Sequence, residues 1–384
     1  MSTAARSPDV IVIGAGMVGA ACARALAREK LRVLVLDADF PGGGSTGVAM
    51  GHVVVLDDSA AQLQLTAYSR SLWNEAASEL PADCEAERRG TLWLASSDAE
   101  MDAAREKGEL YRSHGVAASL VDEAELAARE PYLRTGLAGA LFVPDDSVLY
   151  PPAATRHLIE RARESGAEVR EGIRVQSIGS RSVTVLDRVG QRTTICADAI
   201  VNAAGIDAPE LTPGLPIIPR KGHLVITDRH PGLCTSQLVE LGYLHSAHGM
   251  GGPSTAFNLQ PRATGQLLIG SSRELAGRDA TINRPLLQAM IQRAIEFLPA
   301  LAGCAALRAW TGFRPATPDN LPLIGRWNPV DGLWIAAGHE GLGITLALGT
   351  AELIVAGILG RTPPLDPAPF APMRSATPAA LAGH

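Results

Sequence analysis

Three places in the chain combine residue types and spacing that could do chemistry. The first is Gly14-Ala15-Gly16-Met17-Val18-Gly19, which follows the apolar run Val10–Ile13 and opens an alanine-rich stretch. Gly14 permits a tight turn, Gly16 lets backbone approach a pyrophosphate, and Gly19 lets helix and strand pack closely. The free N–H groups and positive dipole end of the helix then face the phosphates. Asp37 closes the next apolar run, where a carboxylate can accept hydrogen bonds from ribose hydroxyls. Together these predict a dinucleotide site holding Gly14, Gly16, Met17, Val18, Gly19 and Asp37. The negative charge of Asp37 disfavours NADP, whose extra phosphate would meet it, and leaves NAD and FAD open. The second place is Arg314, in Gly312-Phe313-Arg314-Pro315. A guanidinium can grip a carboxylate with two charge-assisted hydrogen bonds, or form a structural ion pair beside the proline. The third is Gly338-His339-Glu340-Gly341-Leu342-Gly343-Ile344-Thr345, whose glycines allow close approach of the backbone. No histidine pair has metal-ligand spacing such as HExxH, so no metal is expected.

These groups need elements to position them. Val10–Ile13, Met17–Glu29 and Arg32–Leu36 read as strand, helix and strand, one βαβ unit. Asp39–Gly51 is a glycine-rich loop. Helices are predicted over 59–80, 99–114, 122–129, 152–164 and 285–297, and a closing helix from about Gly343. Short strands fill 90–95 and 167–196, and Ala199–Ala203 is a buried strand ending near Gly205. Runs at 224–227, 238–246, 256–260 and 266–270 suggest an antiparallel sheet, and Leu333–Ala337 a further buried strand. The expected fold class is α/β, α+β overall: a Rossmann-like nucleotide domain from residues 1–80, 150–205 and 311–360, interleaved with an antiparallel-sheet substrate domain from 81–149 and 206–310. Residues 361–384, rich in proline and alanine, are expected to form a loose tail.

Composition removes several alternatives. Of 384 residues, 46% are hydrophobic and 19% charged, so a sizeable core is expected and wholesale disorder is not. The net charge of −6 argues against nucleic acid bound through a basic face. Cys22, Cys84, Cys196, Cys234 and Cys304 are scattered, with no CxxC pair, which suits a reducing, cytoplasmic compartment. The apolar stretch 341–360 contains Glu352 and several glycines, and reads as a buried helix rather than an integral membrane span.

Further segments resemble the FAD-dependent D-amino-acid oxidase and dehydrogenase family, which includes glycine oxidase. Gly43-Gly44-Ser45-Thr46-Gly47 resembles the loop that passes the pyrophosphate and reaches the flavin, and Arg174-Val175 the strand whose backbone meets adenine. Ile200–Gly205 (IVNAAG), Pro219–His223 (PRKGH), Trp310–Gly325 (WTGFRPATPDNLPLIG) and Gly338–Thr345 are similar to the family's segments, in the family's order over roughly residues 8–360. The resemblance makes FAD the expected cofactor. It implies cofactor contacts at Ser45, Thr46, Gly51, Val175, Gly205, Gly341, Leu342, Gly343, Ile344 and Thr345, and a substrate-carboxylate role for Arg314. Lys221 is expected either to bring positive charge near the flavin or to cap a strand, and His52 either to contact substrate or to be solvated. Asn258 stands where glycine oxidase has a substrate-contacting tyrosine, and Gly341 where it has a bulky basic residue.

Those departures suggest a differently shaped pocket, and Ile269–Glu274 (IGSSRE) with the form GHEGLGIT resembles D-hydroxyproline dehydrogenases and opine-oxidase-like subunits rather than glycine oxidase. The expected reaction is dehydrogenation of a small D-amino or imino acid at the Cα–N bond, with cis-4-hydroxy-D-proline as lead substrate. Alternatives are a broad D-amino acid dehydrogenase or glycine oxidase, a flavin subunit of a larger electron-transfer complex, and an NAD-linked dehydrogenase. Quinone, partner protein and oxygen all remain open as acceptor, as do homo- and hetero-oligomeric states.

Overall fold

The computed structural model describes residues 7–242 and 252–374. Its organising element is a six-stranded sheet with the order Leu323–Arg326, Leu333–Ala337, Ala199–Asn202, Val10–Ile13, Val33–Asp37, Glu168–Glu171. All neighbours are parallel except the first pair. Its central strands are buried on both faces, as their unbroken apolar runs require. Val10, Val12, Val33 and Val35 face one core, with helices Met17–Arg28, Pro151–Glu164 and Ala347–Leu359. Ile11, Ile13, Leu34 and Leu36 face the opposite core, against a three-stranded sheet of Arg174–Gly179, Ser182–Leu186 and Arg192–Cys196. This is the Rossmann-like α/β arrangement expected from the βαβ unit.

The second sheet has eight strands, in the order Ala306–Ala316, Ile218–Thr227, Leu267–Arg273, Ser254–Pro261, Gln237–Glu240, Thr91–Ala95, Gly139–Val143, Ser119–Asp122. It is mixed rather than purely antiparallel, because Gln237–Glu240 runs parallel to Thr91–Ala95. Helix Arg284–Phe297 covers one face, with Phe257 and Phe297 stacked at 4.7 Å between ring centroids. Strand Ala306–Ala316 pairs with Ile218–Thr227 along its length, so the boundary expected at residue 311 falls inside a continuous element. The strand expected over 238–246 ends at Glu240, and positions 243–246 lie outside the described residues.

Two other expectations change. Residues 361–374 do not hang loose: Phe370 is buried, and Arg374 pairs with Asp319 at 2.7 Å while donating to the Leu321 and Pro322 carbonyls. The closing helix begins at Ala347 rather than Gly343. Trp73 Nε1 donates to the carbonyls of Ile344 (3.0 Å) and Thr345 (3.1 Å), which an earlier helical turn would need as acceptors. Among the described residues, no helix is long and apolar enough to cross a membrane.

Candidate active site

The carboxyl ends of the parallel strands and one face of the larger sheet enclose a cavity of about 390 Å³. At the end formed by the six-stranded sheet, Gly14 has φ +93°, and a Cβ there would lie 2.7 Å from the Ala203 carbonyl oxygen. Only glycine fits that turn. Asp37 is tied to the turn: its Oδ2 accepts from Ala15 N at 2.7 Å and its Oδ1 from Asp39 N at 2.8 Å. Gly16, Met17, Val18, Asp37, Val175 and Gly205 all line this end. Ser45 and Thr46 follow along the cavity. Thr46 Oγ1 accepts from Met17 N at 3.0 Å, and Ser45 Oγ donates to the Phe313 carbonyl at 2.7 Å, bracing the loop against both sheets.

At the far end, Arg314, His52, Asn258, Gly341, Gly343 and Ile344 line the wall. Strand pairing sets Arg220 opposite Arg314 and Gly222 opposite Gly312. The Arg314 guanidinium lies over Gly222, where a Cβ would sit 2.2 Å from Nη1. Nη1 donates to the Ser272 carbonyl at 3.1 Å. The structural ion pair considered for Arg314 is loose, its Nε lying 3.9 Å from Glu340. His52 Nε2 and Asn258 Oδ1 are buried polar atoms with no hydrogen-bond partner among the described residues. Such atoms are costly unless something else satisfies them. Burial also pushes the His52 imidazole pKa down to about 4, so the ring is neutral at pH 7. His339 is buried, contacts Thr350 Oγ1 at 2.9 Å, and is pushed down to about 3 by the same cause.

Five residues expected at the site do not line the main cavity. Lys221 points to the opposite face of its strand, where Nζ pairs with Glu274 at 2.8 Å and donates to the Thr281 carbonyl at 2.9 Å. Strand alternation puts Arg220, Gly222 and Leu224 together and sends Lys221 and His223 the other way. Thr345 Oγ1 donates to the His52 carbonyl (3.0 Å) and accepts from Val54 N (3.2 Å), so it ties two segments together rather than facing the cavity. Gly51 is pressed against Leu149, whose carbonyl oxygen would lie 1.6 Å from a Cβ, and its N–H donates to Gln260. Gly19 packs against Gly14, the helix–strand contact foreseen for it, and Leu342 is buried in the helical core. Arg220, Arg273 and Glu340 were not anticipated. Glu340, buried with φ +46°, lies 3.6 Å from Arg220 and 3.5 Å from Arg273. The signal for Arg220 was present in the alternation, whereas Glu340 is brought to it by the fold.

Comparison with known proteins defines the class. The profile of the DAO family, FAD dependent oxidoreductase, matches residues 9–356, and the chain belongs to that family. Its cofactor is FAD, and the residues present fit it, with a glycine turn that excludes Cβ atoms, an acid at the strand end and a cavity running on to unsatisfied polar groups. Among relatives, the chain is 28% identical to hydrogen cyanide synthase subunit HcnC of Pseudomonas aeruginosa, covering 98% of this chain and 99% of that one. It is 29% identical to a D-amino acid dehydrogenase of Cereibacter sphaeroides, covering 82% and 71% respectively. The crystal structure of glycine oxidase from Geobacillus kaustophilus superposes with a TM-score of 0.85 at 26% identity, covering 96% of this chain and 99% of that one.

Proposed function

We propose that the protein dehydrogenates a small D-amino or imino acid at its Cα–N bond, with cis-4-hydroxy-D-proline giving 1-pyrroline-4-hydroxy-2-carboxylate as lead reaction. The observation that carries this reading is the Arg314 guanidinium, held over Gly222 at the far end of the cavity beside the unsatisfied His52 and Asn258 atoms. Asp37, Val175 and Gly205 would hold the adenosine half of FAD, and Gly341, Gly343 and Ile344 its ring. Bound FAD would supply the two-electron acceptor for the hydride leaving Cα. Arg314 takes the substrate carboxylate in a two-pronged grip and so fixes which face of Cα is presented. His52, neutral and a weak base, orients the amine by hydrogen bonding without removing its proton. The amine therefore arrives already deprotonated. Asn258, smaller than an aromatic ring, leaves room for a ring substituent. The relatives named for D-amino acid and glycine oxidation support the substrate class, and the scattered cysteines support a cytoplasmic location.

An anaerobic flavin-bleaching screen over paired D- and L-amino and imino acids tests this. Faster bleaching by cis-4-hydroxy-D-proline than by D-alanine is expected, and the reverse order rejects the imino-acid preference. A second reading, a flavin subunit that hands electrons to a partner, is favoured by similarity to a chain named as a subunit. Bleaching by substrate with no turnover to any dye would select it.

A further inference from the structure

The turn after strand Ile218–Thr227 meets the residues that precede strand Ala306–Ala316 at one end of the larger sheet. Asp228 and Ala305 lock the two together. Asp228 N donates to the Ala305 carbonyl and Ala305 N to Asp228 Oδ1, both at 2.9 Å. His230 N donates to the Gly265 carbonyl at 2.7 Å, which fixes the turn from its other side. Three side chains of different chemistry converge there. A carboxylate oxygen of Asp228, a ring nitrogen of His230 and the Cys304 sulfur all lie within 4.8 Å of one another. All three residues are partly exposed, so an ion and water can reach them.

An ordinary Asp–His contact accounts for part of this cluster, since His230 Nε2 lies 2.7 Å from Asp228 Oδ1. It leaves the thiol unexplained. Among the described residues, Cys304 Sγ makes only a long contact to the Ala300 carbonyl, at 3.7 Å. No Lys or Arg lies within 4.0 Å of the Asp228 carboxylate among those residues, so no fixed cation competes for it. Oxygen, imidazole nitrogen and sulfur together form a donor set for zinc-class ions, whereas calcium and magnesium take oxygen ligands. With bonds of about 2.0–2.3 Å, tetrahedral ligands of zinc stand roughly 3.3–3.7 Å apart. The Asp228–His230 pair must open, and the thiol approach, by about 1 Å, a small shift for partly exposed side chains.

We propose that Asp228, His230 and Cys304 form a binding site for a zinc-class divalent ion, with water as the fourth ligand. Cys304 binds as thiolate and releases its proton to solvent, and His230 binds as neutral imidazole. The Ala305 N–H, already bonded to Asp228 Oδ1, orients the carboxylate from outside. The ion ties the end of Ile218–Thr227 to the start of Ala306–Ala316. Those strands carry Gly222 and Arg314, but Gly222 is on the order of 20 Å from Asp228 along an extended strand. The ion is therefore a structural clamp outside the active site. Cys304 is remote in sequence from the other two ligands, so no spacing motif announces the site.

Untagged holoenzyme, treated with a chelator and then freed of it, is titrated with Co²⁺ and with Zn²⁺. One Co²⁺ per chain is expected, with a thiolate-to-cobalt charge-transfer band. The difference spectrum against zinc-loaded protein shows that band with the flavin absorbance cancelled. Cys304→Ser should abolish it, whereas Cys196→Ser, at an exposed cysteine elsewhere, should keep it. Zinc binding should weaken in Cys304→Ser and in His230→Gln by more than the roughly ten- to hundredfold that loss of an outer-shell contact costs. Zinc should also raise the unfolding midpoint of wild type and not that of Cys304→Ser. No cobalt band, a band that survives Cys304→Ser, or zinc affinity unchanged in His230→Gln overturns the site. A wild-type midpoint that zinc does not move overturns the clamp.

Discussion

Replacing Gly222 with alanine displaces Arg314 without altering any charge. The added Cβ would stand 2.2 Å from Arg314 Nη1 and 2.7 Å from its Cζ. Ordinary contact lies beyond 3.4 Å, so the guanidinium must withdraw by about 1 Å, stretching its 3.1 Å bond to the Ser272 carbonyl. Gly222 sits in a strand without positive φ, and the atom it meets is the end of a flexible side chain. The fold should therefore lose no more than about 1 kcal/mol. A misplacement of about 1 Å at a positioning group costs on the order of a hundredfold in rate. Gly222→Ala should thus retain FAD and lower kcat/KM about a hundredfold, the direction in which Arg314→Ala goes further. Stopped-flow anaerobic flavin reduction over a substrate series gives the value, and denaturant unfolding checks the fold. Wild-type kcat/KM in Gly222→Ala, with Arg314→Ala inactive, would refute the argument that Arg314 acts from its position over this glycine.

Two further outcomes follow from the same geometry. Lys221→Met leaves Glu274 without its cation in a nearly buried setting, which should cost about 3–5 kcal/mol in urea unfolding. The flavin spectrum and kcat/KM per folded molecule should not move, and a changed spectrum would return Lys221 to the cofactor. His339 has a folded pKa of about 3 against 6.5 ordinarily, so the unfolded chain takes up its proton first as pH falls. Its contribution to stability is complete above about pH 6.5 and is lost progressively towards pH 3. His339→Gln should accordingly lose about 2–3 kcal/mol less than wild type between pH 6.5 and 4.5, by denaturant unfolding at each pH. Parallel curves would refute the assignment.

What the sequence made legible were local features. Gly14, Asp37 and the strands around them carry their conformational reasons in their own types, and Arg314 stands in a short segment of distinctive composition. The misplaced residues fail for a common reason, which is that side-chain direction was left out. Lys221 and Thr345 lie beside true lining residues, but the pleat of one strand and the bonding of one turn send them elsewhere. Glu340 was illegible because its partners, Arg220, Arg273 and Arg314, come from three strands whose adjacency depends on the order of the larger sheet. The anchoring of the stretch to Arg374 was missed because proline and alanine content says nothing about an ion pair to Asp319.

The packing of helix Ala347–Leu359 against Met17–Arg28, and of strand Leu333–Ala337 beside Ala199–Asn202, bears on how the chain is made. Helix Met17–Arg28 buries its alanine-rich side against a helix that emerges more than 300 residues later. At about 5–20 residues per second, that surface waits on the order of tens of seconds for its partner. Contacts so distant in sequence form late and slowly. The nascent protein therefore carries a half-built dinucleotide cradle until helix Ala347–Leu359 has been made, and becomes competent to take its cofactor only after that.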